Sequence, residues 1–154
     1  MNILLDSNII LHIVRSNKGL ELLKYINPEN NLVFVSFVSV AEVQSIAFRN
    51  NWGFNKMQRL EEFFSNLTII DVSDILLNTY IQIDAYSQRN HPDYELYPFK
   101  TPRNMGKNDL WIASTASLLN FKLVTTDNDF NHLENIFLSI IKITPEEIST
   151  IFKE

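Results

Sequence analysis

The chain contains no cysteine, which excludes a disulfide framework and any thiolate-bound zinc or iron–sulfur centre. Glycine is nearly as scarce. Gly19, Gly53 and Gly106 are its only three, and none falls in a phosphate-cradling or dinucleotide-binding pattern. Basic residues are few, with 13 Lys and Arg against 18 Asp and Glu, a formal charge of −5. That balance argues against holding nucleic acid by bulk charge, though not against an enzyme that meets phosphates through a bound metal. No run of about twenty apolar residues occurs, so a membrane span is not expected. The opening Met1-Asn2-Ile3-Leu4-Leu5-Asp6 lacks the basic stretch of a secretory leader and reaches an acid at once. These absences together point to the cytoplasm. The three histidines, His12, His91 and His132, are scattered and form no metal-ligand spacing.

What is present is an ordinary globular composition, 45% hydrophobic over 154 residues, and we read residues 1–154 as a single domain. Short β-branched or aliphatic runs at 2–5, 32–36, 67–72, 121–125 and 138–143 read as strands. Helical spacing fills the intervals at 7–14, 18–26, 38–49, 55–66, 73–88 and 107–119, with a short helix at 129–133. Thr144-Pro145-Glu146-Glu147 starts a last helix, with the hydroxyl as cap and proline in the first turn. Residues 91–105 hold three of the five prolines, which forbids a buried helix or central strand there. Strands separated by helices predict an α/β fold, a central mostly parallel sheet of about five strands flanked by helices. In such folds, ligands bind at the carboxyl ends of the strands.

Acids fall where that rule directs attention. Asp6 ends the first strand, and Asp127 and Asp129 follow the fourth. Asp109 lies in the first turn of the helix before that strand. Glu42 sits in the apolar stretch Val38-Ser39-Val40-Ala41-Glu42-Val43, where a carboxylate loses hydration and needs a cation or strong donors. Each also has a purely structural reading: helix cap for Asp6, helix dipole for Asp109, turn for Asp127 and Asp129, and a narrow exposed stripe with Gln44 or Arg49 for Glu42. Gathered at one end of a sheet, several carboxylates cannot all ionise without a cation. Oxygen-only ligands then point to Mg²⁺ or Mn²⁺. Ser7, Asn8 and Thr126 stand beside these acids as supporting donors. Lys100, Arg103 and Lys107, near Tyr94, Tyr97 and Phe99, form a candidate RNA contact; the same aromatics could instead pin the loop to the body.

The segments Leu4-Leu5-Asp6-Ser7-Asn8, Ser39-Val40-Ala41-Glu42-Val43, Gly106-Lys107-Asn108-Asp109-Leu110-Trp111 and Thr125-Thr126-Asp127-Asn128-Asp129-Phe130 resemble the four acidic motifs of PIN-domain nucleases. Their order and spacing are most similar to VapC-type toxins of bacterial type II toxin–antitoxin systems. The resemblance implies a PIN-like three-layer fold and a Mg²⁺- or Mn²⁺-dependent endoribonuclease leaving 5′-phosphate and 3′-hydroxyl ends. It further implies a homodimer neutralised by a cognate antitoxin. Asp6, Glu42, Asp109 and Asp127 carry over as catalytic and metal-binding residues, with Asp129 at a more variable metal-binding position. A phosphatase reading fits poorly because Asn8 stands where a second acid would be required, and a receiver-domain reading because Asp6 has no acidic neighbour. The remaining alternative is a catalytically silent PIN-like module that binds RNA or protein.

Overall fold

Aliphatic side chains alternate across one sheet and cover both of its faces. The structure, a computed structural model, describes residues 1–153. Its elements run β1 (Ile3–Leu5), α1 (Ser7–Arg15), α2 (Gly19–Ile26), β2 (Val33–Ser36), α3 (Phe37–Arg49), α4 (Phe54–Ser65), β3 (Thr68–Ile70), α5 (Leu77–Ser87), α6 (Lys107–Leu119), β4 (Lys122–Thr125), β5 (Ser139–Lys142) and α7 (Pro145–Lys153). Two 3₁₀ turns, Asp74–Leu76 and Asn128–Leu133, complete the set.

The five strands are all parallel, in the order β3-β2-β1-β4-β5. The expectation of a mostly parallel sheet is thus met in full: α-helices cross over between β1, β2, β3 and β4, and the 3₁₀ turn Asn128–Leu133 does so between β4 and β5. In β1, Ile3 and Leu5 enter a core with α1, α2, α3 and α4, whereas Leu4 enters a second core with α5 and α6. Val124 and Leu123 divide between the two cores in the same way. This period of two makes the three-layer arrangement. The chain builds outward from β1 through β2 to β3, then crosses to the other side for β4 and β5. The reversal lies between β1 and β4, and a crevice opens at the carboxyl ends of strands around such a point.

Three elements differ from expectation. The third strand is limited to Thr68–Ile70, an edge strand paired on one side only. The helix expected over 73–88 starts with the separate turn Asp74–Leu76, and Ser73 makes no side-chain cap hydrogen bond there. The short helix at 129–133 is the 3₁₀ turn Asn128–Leu133. At the C-terminus the capping box forms as written. Thr144 N–H donates to Glu147 Oε2 at 2.7 Å, and Glu147 N–H donates to Thr144 Oγ1 at 3.1 Å.

Candidate metal centre

The crevice between β1 and β4 collects the acids through a relay of hydrogen bonds. Asp6 follows β1 directly and caps α1, its Oδ1 accepting Ser7 N–H at 2.8 Å. Its Oδ2 accepts the Thr125 hydroxyl at 2.7 Å. Thr125 Oγ1 in turn accepts Asp127 N–H at 2.9 Å, and Asp127 Oδ1 accepts Asp129 N–H at 2.9 Å. The capping and turn readings of Asp6 and Asp127 are therefore correct, and they orient the carboxylates rather than compete with a chemical role.

Asp109 arrives from the other side, in the first turn of α6, whose N-cap is Gly106. One carboxylate oxygen from each of Asp109, Asp127 and Asp129 lies within 4.8 Å of the others. Burial, followed by the charges of Asp6, Asp127, Glu42 and Asp129, pushes the Asp109 carboxyl up to about 7. Burial also raises Asp6, against the hydrogen bonds from Thr125 and Ser7 that lower it. Glu42 is half-buried on α3, and its Oε1 is fully enclosed with no hydrogen-bond partner among the described residues. An orphaned buried carboxylate oxygen next to mutually repelling acids is short of positive charge. An all-oxygen donor set of this kind suits a hard divalent ion such as Mg²⁺ or Mn²⁺.

Of the supporting residues, Ser7 donates to Asp6 through its backbone N–H, while its side chain, Asn8 and Thr126 are occupied elsewhere or turned away. Ser7 is buried, and its hydroxyl donates to Ser39 Oγ at 3.0 Å, tying α1 to α3. Asn8 is exposed. Thr126 makes no side-chain hydrogen bond to the acids among the described residues; Thr125 does so instead. The reason is strand alternation. Thr125 follows Leu123 on the face where Asp6 continues from Leu4, while Thr126 lies one residue out of phase. Lys142, at the end of β5 in register with Thr125, is a second unforeseen residue. Its ammonium donates to the Asp127 carbonyl and, at 2.9 Å, to Asn131 Oδ1, anchoring the acidic turn to the sheet. Strand alternation and the β4–β5 pairing were the signals that could have found both residues.

Lys100 and Arg103 are exposed on the segment leading into α6, and Lys107 is exposed as the first residue of that helix. The aromatics near them face inward. Tyr94, Tyr97 and Phe99 pack on buried Tyr86 with ring centroids 4.9, 5.2 and 5.5 Å away. The Arg103 guanidinium lies 5.7 Å from the Phe99 ring centre. These rings fasten the proline-rich segment to the body and leave the cations, not the aromatics, at the surface.

Comparison with solved structures supports the architecture. VapBC2 from Rickettsia felis, bound to a DNA fragment from its promoter, matches with TM-score 0.72 and 24% identity over 92% of this chain and 98% of that one. FitAcB from Neisseria gonorrhoeae matches with TM-score 0.67 and 22% identity over 92% and 97%. VapBC-5 from Mycobacterium tuberculosis, of the VapBC family of toxin–antitoxin systems, matches with TM-score 0.64 and 17% identity over 92% and 98%. At these identities the likeness is one of fold. No curated protein sequence matches. The PIN domain family model matches residues 3–136, spanning β1 through the turn after β4 and all five acids, and the chain belongs to that family.

Proposed function

We propose that this protein is a metal-dependent endoribonuclease and the toxin of a toxin–antitoxin pair. The observation that carries the reading is the convergence of Asp6, Asp109, Asp127 and Asp129 at the sheet's switch point, beside the unpartnered Glu42 Oε1. Asp109, Asp127 and Asp129 would hold Mg²⁺ or Mn²⁺, with Asp6 and Glu42 completing the acidic cluster. Bound there, the ion would polarise a phosphodiester, lower the pKa of an attacking water and steady the leaving oxygen. Thr125 fixes Asp6 and the Asp127 backbone in one orientation, and Lys142 holds the turn that carries Asp127 and Asp129. The acids keep a strongly negative crevice that disfavours bare phosphate, so RNA approach depends on cations at its margin. Lys100, Arg103 and Lys107 are candidates for that margin.

Neighbours solved as toxin–antitoxin complexes support a cognate antitoxin as partner. A homodimer is the assembly we infer from the same resemblance. The test is to incubate purified wild type, Asp6→Asn and Asp109→Asn with RNA in Mn²⁺ and in EDTA, then sequence the product ends. Wild type with Mn²⁺ should leave 5′-phosphates, and both variants and the EDTA control should be silent. Equal cleavage by all three proteins would overturn the assignment.

A further inference from the structure

A cleft of about 510 Å³ runs along α3 past the acidic crevice, its lining including Phe37, Ala41, Glu42, Ser45, Arg49 and, from α6, Asn108. Along α3, positions 38, 41, 42, 45, 46 and 49 recur at helical spacing and form one stripe. Glu42 and Arg49 therefore stand on the same side of the helix, ~10 Å apart along its axis. Glu42 belongs to the acidic cluster and lies between Phe37 and Arg49 along the cleft, where its orphaned Oε1 is an unmet acceptor. Arg49 is exposed at the C-terminal end of α3 and makes no hydrogen bond or ion pair among the described residues. Phe37 is 54% exposed at the cleft wall, although it is the first residue of α3 and lies next to the sheet. An aromatic face, polar Ser45 and Asn108, and one terminal cation, continuous with a phosphodiester-cleaving site, match an unpaired nucleotide better than an apolar helix or strand.

We propose that this cleft seats unpaired RNA beside the scissile bond, with a base on Phe37 and a phosphate on Arg49. The inference rests on the nuclease reading above and adds the path of the strand. It also reconciles an acidic protein with an RNA substrate, because one well-placed guanidinium beyond the acids supplies what bulk charge does not.

The experiment uses an unpaired oligoribonucleotide of ~12 nucleotides carrying a 5′ fluorophore. Binding is read by anisotropy in the non-cleaving Asp109→Asn background, and cleavage in the otherwise wild-type protein with Mn²⁺. Phe37→Ala should weaken binding about 5- to 10-fold with an unchanged salt slope, as loss of stacking requires. Arg49→Glu should weaken it at least about 10-fold and lower the salt slope by about one. In otherwise wild-type protein, both should keep wild-type Mn²⁺ affinity without RNA, and wild-type melting temperature. If wild type cleaves while both variants bind and cleave normally, the cleft is off the RNA path and the inference falls, though the nuclease reading stands. It falls equally if the variants lose only inhibition by a protein partner, since the cleft would then belong to that partner. If wild type neither binds nor cleaves RNA in Mn²⁺, the nuclease reading falls and the inference with it.

Discussion

The Thr125 hydroxyl donates to Asp6 Oδ2 at 2.7 Å, joining residues 119 positions apart in the chain. Thr125 Oγ1 also accepts Asp127 N–H, so one side chain sets the spacing between the acids that follow β1 and β4. Thr125→Val keeps the shape and removes both interactions. It should destabilise the fold by about 1–3 kcal/mol in urea denaturation, because a buried carboxylate loses a donor. On the proposed metal reading, Mn²⁺ affinity measured by calorimetry should fall roughly 10-fold or more, the usual loss when a partner that orients metal ligands is removed. Thr125→Ser should restore most of both.

Asp109 carries the site's electrostatic tension. Its carboxyl is raised from 3.8 to about 7 in the metal-free protein, chiefly by burial and then by its acidic neighbours. The folded state therefore holds this proton more tightly than the unfolded state. Stability from this group is full below about pH 4 and is lost as pH rises through 7. Asp109→Asn should remove that dependence and leave the metal-free protein more stable at pH 8, on the order of 2 kcal/mol once solvent screening is allowed for. On the metal-dependent reading proposed above, it should also abolish the stabilisation expected of Mn²⁺ in wild type. Chemical denaturation at pH 5 and 8, with and without metal, reads both effects.

Lys142 ties the acidic turn to β5 through the Asp127 carbonyl and Asn131. Lys142→Met should cost about 1 kcal/mol globally, since the group is partly exposed. The larger effect should be local. Amide hydrogen exchange over residues 127–133 should accelerate while β1 and α6 keep their protection.

His132 responds to pH with the opposite sign. Its imidazole lies 2.7 Å from the buried Ser87 hydroxyl, and burial followed by the Arg103 charge lowers its pKa to about 4. The unfolded state then takes up the proton first, so stability is full above about pH 6.5 and is lost as pH falls toward 4. His132→Gln should flatten that acid limb by on the order of 1 kcal/mol after screening. The difference between wild-type and variant urea midpoints at pH 7 and 4.5 isolates this group from Asp109.

Gly19 begins α2 where it packs on α1, and a Cβ there would lie 2.2 Å from the Ile13 carbonyl oxygen. Backbone must move to admit it. Gly19→Ala should cost about 1–3 kcal/mol and lower the melting temperature by several degrees. Gly53→Ala, which meets no atom within 4 Å, should be nearly silent.

Much of the fold was legible because it depends on local chemistry. The pattern of short apolar runs and helical spacing foretold a parallel α/β sheet, and Thr144 with Glu147 announced the last helix through contacts three residues apart. Edges were harder. β3 is confined to three residues because it has a partner on one side only, which no property of residues 67–72 by themselves decides.

The acids were legible by type and by position near strand ends, since carboxylates within apolar or strand-terminal settings need a physical reason. Their individual surroundings were not. Asp129 joins Asp109 and Asp127 most closely, Asp6 is held by Thr125 rather than flanked by Thr126, and Lys142 reaches the turn from β5. Residue chemistry and periodicity determined that this chain folds as a layered α/β domain with acids at one end. Tertiary structure alone decided which side chains meet there, because strand order and pleat phase set contacts between residues more than a hundred positions apart.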